Sequence, residues 1–271
     1  MFHHAAVALD LSPASETVLI GIPDLLRLGV KQLTLIHVTA LDRPTDEEIE
    51  RCRKALEYHR PELERTGFAF EVVIRTGMRV EAILDATEKA GADLLVIGSH
   101  GMQSALNRVF LGDTAAELLR RAPLPVLVER MGPGSEEQRV SCVNRFSTLL
   151  LASDCDSTAS AAEQVALELA GEVEQFHLLG VVDNGDAAAI ESHLRELAAP
   201  FGEKASWHIE HGTPSAAIMR LANALACSLI VIGKHDGCDN HGRPPGTTTA
   251  TLVRNAQHAV LVVPPALCTT P

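Results

Sequence analysis

Two hydrophobic patterns alternate along this chain. Short runs such as LTLIHV (33–38) and LLVIG (94–98) are apolar on nearly consecutive positions, as expected of strands buried on both faces. Between them lie longer stretches with helical spacing and start signals. In the first half this pattern predicts strands near 4–9, 32–39, 68–74, 93–97 and 125–129, with helices near 13–28, 45–65, 79–90 and 113–121. In the second it predicts strands near 147–152, 174–182, 205–210, 228–232 and 259–263, again with helices between. Strict alternation of strand and helix implies parallel sheets with right-handed crossovers. The predicted fold class is therefore α/β: two tandem, doubly wound, Rossmann-like domains, each with its ligand crevice at the carboxyl ends of the strands.

The halves repeat each other. HHAAVALDLSPASETVLIGI resembles FSTLLLASDCDSTASAAEQVAL, LLVIGSHG matches LIVIGKHD, and LLRRAPLPVLVER matches LVRNAQHAVLVVP. The offsets change slowly and in order. They are 144 for Asp10 to Asp154 and 143 for Val38 to Val181. They become 135 for Gly77 to Gly212 and for Gly98 to Gly233, and 134 for Gly112 to Gly246 and for Val126 to Val260. Two homologous domains explain this pattern, spanning 1–130 and 146–271. The glycine-, proline- and charge-bearing segment 131–145 is the expected linker.

Composition narrows the function classes. The 271 residues are 46% hydrophobic, 21% charged and only 3% aromatic, so the core must be built from Ala, Val, Leu and Ile. A net charge of −12 disfavours nucleic acid and anionic membrane as partners. No apolar run reaches the ~20 residues of a membrane span, and the Met-Phe-His-His start lacks signal-peptide features. The expected location is cytoplasmic. Six cysteines without CxxC spacing suggest reduced thiols.

The stretches VALDLSPAS, LIHV, TGMRVEAI, DLLVIGSHG and LLGDTAAELLRRAPLPVLV, in that order, resemble the universal stress protein family, once per half. The resemblance implies five-stranded parallel sheets of order 3-2-1-4-5 and a phosphate loop of the form G-x2-G-x9-G-[S/T]. It further implies an adenine nucleotide (ATP, ADP or AMP, with Mg²⁺ as an optional companion). The Asp ending the first strand and a Val ending the second would hold the adenosine part, and the glycine loop the phosphates. In this sequence those roles fall on Asp10, Val38, Gly98, Gly101 and Gly112, and on Asp154, Val181, Gly233, Gly246 and Thr247. The chemistry is that of a helix N-terminus, whose unpaired N–H groups attract anions.

Both halves depart from the pattern. In the first, ten residues precede Gly112, Asp113 stands where a hydroxyl is expected, and Thr114 comes one place late. A carboxylate there competes for the helix amides and repels phosphate. Two charges ~4 Å apart at an effective dielectric of ~20 repel by about 4 kcal/mol, roughly a thousandfold in affinity. Bound Mg²⁺ would reverse that sign. In the second half the nine-residue spacing and the hydroxyls of Thr247 and Thr248 are kept, but Asp236 replaces a glycine. A triphosphate suits the second half better on this reading, and AMP the first.

Other residues have simpler readings. His37 and His100 fit histidines with backbone partners, and Ser12 and Ser157 fit helix caps. The charged segment 45–65 fits a solvated helix face. His235, Asp236, Cys238, Asp239 and His241, with Cys155 and Asp156, could converge on a metal, but their spacing matches no strong zinc signature. The apolar last strands suggest that the halves pair with each other, as single-domain relatives of the resembling family dimerise; two chains could also associate. Three functions follow: a nucleotide-binding stress-response sensor acting through an unknown protein partner, with at most slow ATP hydrolysis; a nucleotide-free interaction scaffold; and a metal-assisted enzyme using the 233–246 loop.

Overall fold

A computed structural model of the chain describes residues 1–12, 15–39, 44–99, 112–129, 147–155, 160–182, 187–234 and 247–265. Its contacts divide it into two compact units, Met1–Val143 and Asn144–Pro271. The expected linker at 131–145 lies outside the described residues.

In the first unit the strands are β1 (His4–Ala8), β2 (Gln32–Thr39), β3 (Ala69–Thr76), β4 (Leu94–Gly98) and β5 (Val126–Glu129). All pairings are parallel and the order is β3-β2-β1-β4-β5. In the second, β6 (Thr148–Ser153), β7 (Gln175–Val182), β8 (Ala205–His211), β9 (Leu229–Gly233) and β10 (Ala259–Val263) pair in parallel in the equivalent order, β8-β7-β6-β9-β10. The central strands are buried on both faces, as their unbroken apolar runs require: Ala5, Ala6 and Val7 are fully buried, as are Leu149, Leu150 and Leu151. The fold is therefore α/β and doubly wound in each unit.

The helices depart from the sequence pattern where proline and glycine interrupt the ladder. The single helix expected over 13–28 is a short α1 (Ser15–Ile20) followed by a 3-10 segment, Ile22–Leu28. Pro23 lies in the first turn of that segment, where its missing N–H cannot extend an α-helical ladder. Likewise 45–65 is two helices, α2 (Asp46–Glu57) and α3 (Arg60–Arg65), with Pro61 at the start of the second. A reciprocal cap opens α2: Glu48 N–H donates to Thr45 Oγ1 at 3.2 Å, and Thr45 N–H to Glu48 Oε2 at 2.7 Å. Only Leu56 of α2 is buried, so its charges face solvent as expected. The remaining helices are α4 (Arg79–Ala90), α5 (Asp113–Arg121), α6 (Ser160–Ala170), α7 (Ala187–Ala198), α8 (Pro214–Ala224) and α9 (Thr247–Asn255). No helix among the described residues is long and apolar enough to cross a membrane.

One difference between the repeats is a strained helix end. Gly91 closes α4 at φ 65°, with Gly91 N–H donating to Glu88 O and Ala92 N–H to Thr87 O. The same pair of bonds closes α8, from Ala226 N–H to Asn223 O and Cys227 N–H to Ala222 O. Here, however, the left-handed position at φ 48° is Ala226. A Cβ in that region is disfavoured, and glycine removes the conflict. Ala226→Gly is expected to stabilise the second unit by about 0.5–1 kcal/mol. An unchanged or lower urea midpoint for that unit would contradict it.

Candidate functional site

The strand register sets the crevice of the first unit. Ala8 pairs with Ile36 on one side and Ile97 on the other, so β1, β2 and β4 end close together. The ladder runs one step further, with Leu9 N–H donating to Ile36 O at 2.9 Å, which brings Asp10 level with Val38. Leu11 then turns the chain through the left-handed region at φ 59°.

Asp10 is the organising residue of this turn. Its Oδ1 accepts from Ser12 N–H at 3.0 Å and from the Ser15 hydroxyl at 2.5 Å, while Asp10 N–H donates to Ser15 Oγ at 3.3 Å. Ser12 therefore serves through its backbone and not as the side-chain cap expected of it; the Asp-to-i+2 bond already satisfies that turn. The Ser12 hydroxyl is buried near Asp10 without a well-formed hydrogen bond. Burial alone would push the Asp10 carboxyl up, but the hydrogen bonds from Ser12 and Ser15 outweigh it and hold the group below its ordinary range. The half-buried carboxylate is thus ionised at neutral pH. Its second oxygen, Oδ2, accepts no hydrogen bond among the described residues. His37 is buried, and its Nδ1–H donates to Leu9 O at 2.8 Å, a structural tie that fixes the same turn.

At the other side of the crevice, Gly98 ends β4 and pairs with Glu129. Ser99 N–H donates to Glu129 O at 2.8 Å, and Gly112 N–H to Ser99 O at 3.0 Å. The start of α5 is thereby fastened to the end of β4. Gly112 is the N-cap of α5 and supplies no side-chain cap. Asp113 and Thr114 form the first turn. Asp113 is exposed, and its carboxylate makes no hydrogen bond to the helix amides among the described residues. The competition expected from Asp113 is therefore weaker: an exposed charge acts through near-water screening, a few-fold effect and not a thousandfold one.

The second unit keeps the scaffold and changes the chemistry. Ala152 pairs with Leu179 and Ile232, so β6, β7 and β9 end together as before. Cys155 takes the left-handed turn at φ 60°, as Leu11 does. The turn is organised by a hydroxyl instead of a carboxylate, with Cys155 N–H donating to Ser153 Oγ at 2.9 Å. Asp154 is exposed, unlike Asp10. Val181 pairs with Glu210, and Gly233, ending β9, pairs with Val263. Lys234 N–H donates to Val263 O at 2.7 Å. Thr247 and Thr248 open α9, and the buried Thr249 hydroxyl is 3.4 Å from Gly233 O, a long contact between helix start and strand end. Gly101, Asp236 and Gly246 lie outside the described residues, as do His100, Asp156, Ser157, His235, Cys238, Asp239 and His241.

A profile of the universal stress protein family matches residues 1–130 and 148–264, most of the chain and once per unit. The chain belongs to the universal stress protein family. A universal stress protein of Synechocystis is 40% identical over 68 residues, 25% of this chain and 23% of that protein. One from Methanocaldococcus jannaschii is 32% identical over 79 residues, 29% of this chain and 48% of that one. These matches thus span less than half the length of either relative. The solved universal stress protein of Archaeoglobus fulgidus superposes with a TM-score of 0.80 at 24% identity, over 96% of this chain and 98% of that one. This likeness speaks to the fold, which is that of a tandem universal stress protein.

Some residues at these universal-stress-protein crevices escaped the sequence reading. Ser15 was hidden because its partner, Asp10, lies before the helix; an Asp followed five residues later by Ser at a helix start was the available signal. Removing the Ser15 hydroxyl tests its hold on Asp10. A carboxyl depressed in the folded state stabilises the fold above its unfolded pKa, and that contribution is lost as pH falls through the folded value. Ser15→Ala is expected to raise the Asp10 midpoint and shrink this acid-dependent loss. Carboxyl NMR titration reads it, and an unmoved midpoint would refute the assignment.

Proposed function

We propose that the first unit binds an adenine nucleotide, with AMP favoured over ATP, and that the protein acts as a regulatory sensor through a protein partner. The observation that carries this reading is Asp10. It is an ionised, half-buried carboxylate with one oxygen saturated by Ser12 and Ser15 and the other open to a donor. Such a group suits a ribose hydroxyl or an adenine amino group. The Gly112 helix start, fastened to the end of β4, supports a place for phosphate. Exposed Asp113 at that helix start supports the preference for fewer phosphate charges. Val38 would complete the adenosine contact, with Gly98 and Gly101 in the phosphate loop.

On this reading the second unit, with Asp154, Val181, Gly233, Asp236, Gly246, Thr247 and Thr248, is the weaker nucleotide site, since Asp154 is exposed where Asp10 is half-buried. Hydrolysis is not the expected output: no positioned base or arginine constellation for phosphoryl transfer is recognised in the sequence. Location in the cytoplasm and a role in stress response belong to the same proposal.

Calorimetric titration of the full chain with AMP, ADP and ATP, with and without Mg²⁺, tests it. Asp10→Ala is expected to weaken AMP binding by at least tenfold, through loss of a charge-assisted hydrogen bond. Asp113→Ser is expected to strengthen ATP binding roughly fivefold and AMP binding less. No binding of any of the three below millimolar concentration would leave the scaffold reading in place.

A further inference from the structure

The repeats differ most informatively at three positions. At the 144-residue offset, Ser153, Cys155 and Glu163 stand where the first repeat has Leu9, Leu11 and Leu19. The alignment holds through the buried faces of the first helices, where Val18, Ile22 and Leu25 correspond to Ala162, Ala166 and Leu169. Three apolar positions have become a hydroxyl, a thiol and a carboxylate, and the three meet. Ser153 Oγ donates to Glu163 Oε1 at 2.5 Å, and Cys155 N–H donates to Ser153 Oγ. Glu163 is only 7% exposed, a costly place for a carboxylate without strong partners.

A fourth group comes from another helix. His193 Nε2, on α7, lies 3.0 Å from the same Glu163 oxygen. It reaches there because α7 packs tightly onto β7 at Gly180. A Cβ at Gly180 would stand 2.3 Å from Ile190 Cγ2 and 3.2 Å from Leu194 Cδ1. The corresponding residue of the first repeat is His37, whose side chain bonds Leu9 O instead. Ligand atoms of Cys155, Glu163 and His193 all lie within 4.8 Å of one another.

We propose that Cys155, Glu163 and His193 form a binding site for a divalent transition-metal ion, with Zn²⁺ the best match. Thiolate, imidazole and carboxylate together suit Zn²⁺ and not Mg²⁺ or Ca²⁺, which take oxygen ligands. Metal–ligand bonds of about 2.0–2.3 Å put tetrahedral ligands roughly 3.3–3.8 Å apart, within small side-chain adjustments of the observed spacing. Three protein ligands leave the fourth position to water or a small ligand. Ser153, bonded to Glu163, orients the carboxylate as a supporting partner. Hydrogen bonds tie Ser153 and His193 to Glu163, and the metal reading adds the Cys155 thiol, whose ligand atom lies within the same 4.8 Å cluster. The site shares no residue with the nucleotide crevice of the first unit, so either proposal can fail alone.

Cobalt titration of the chelator-treated full chain tests it. One equivalent of Co²⁺ is expected to bind with a thiolate-to-cobalt charge-transfer band and tetrahedral visible bands, and Zn²⁺ is expected to displace it. Cys155→Leu and Glu163→Leu restore the side chains that the first repeat carries at these positions, so the fold is expected to survive by circular dichroism. Cys155→Leu should abolish the charge-transfer band, and Glu163→Leu and His193→Gln should each weaken Zn²⁺ at least tenfold, with AMP binding unchanged. If Cys155→Leu does not fold, alkylation mapped by mass spectrometry on the wild-type chain replaces it. Zn²⁺ should protect Cys155, while Cys227, a buried thiol pushed up to about 12, stays unreactive throughout. A charge-transfer band that persists in Cys155→Leu, absence of protection at Cys155, or no Co²⁺ bound at micromolar concentration would overturn the proposal.

Discussion

The flush parallel pairing of the first strand of each unit with two neighbours is the constraint on which everything else rests. β1 is locked to β2 and β4 at once, and β6 to β7 and β9, through full backbone ladders. Parallel strands need crossovers on the sheet faces, so all carboxyl ends fall on one side. Three of those ends finish level, and the residues just beyond them must share one crevice. The backbone alone thus decides that Asp10, Val38 and Gly98 are neighbours in one unit, and Asp154, Val181 and Gly233 in the other. A register slip of one residue would turn every side chain of a strand to the opposite face.

On this shared scaffold the turn after the first strand is solved in two ways. Both use a non-glycine residue in the left-handed region, Leu11 or Cys155, a strained choice that the surrounding bonds must hold. In the first unit the Asp10 carboxylate supplies those bonds and is kept charged by them. In the second the Ser153 hydroxyl does so, and is itself tied to buried Glu163. The change propagates to the second strand. His37 donates to Leu9 O in the first unit, whereas Gly180 makes room for α7 in the second. Four positions thus differ in concert, which is how a site changes its chemistry without changing its fold.

The strands were legible because burial on both faces leaves consecutive apolar residues, a signal that needs no tertiary knowledge; their order came only with the family resemblance. The repeat was legible because its offsets are nearly constant. Helix breaks at Pro23 and Pro61 were visible as residues yet overridden by the helical spacing around them. Within the sites, Asp10 and the glycines could be named from their position after strands. The Ser15 bond and the minor role of the Ser12 side chain could not, since both depend on how one tight turn closes. The exposure of Asp113 was equally hidden, because sequence gives the position of a charge on a helix but not its bonding. Glu163 and His193 lie 30 residues apart on different helices, with no local spacing to betray them. The one trace was comparative: an internal repeat in which Leu9, Leu11 and Leu19 become Ser153, Cys155 and Glu163.

The overall charge of −12 acts in opposite directions on the two proposed ligands. An acidic protein repels a polyphosphate at long range, and screening confines that repulsion to about 8–10 Å in ordinary salt. A nucleotide must therefore be held by short-range donors, the amides at the start of α5, while Asp113 in that first turn adds a local penalty that grows with phosphate charge. The same field attracts a divalent cation, and it is the bound cation that would favour deprotonated ligands. The second crevice has a thiol, an imidazole and a buried carboxylate beside its first strand, a donor set suited to a cation and not to phosphate. On the two proposals, local charge and donor chemistry would separate the units, an anion of low charge in the first and a metal ion in the second, although their backbones follow the same plan.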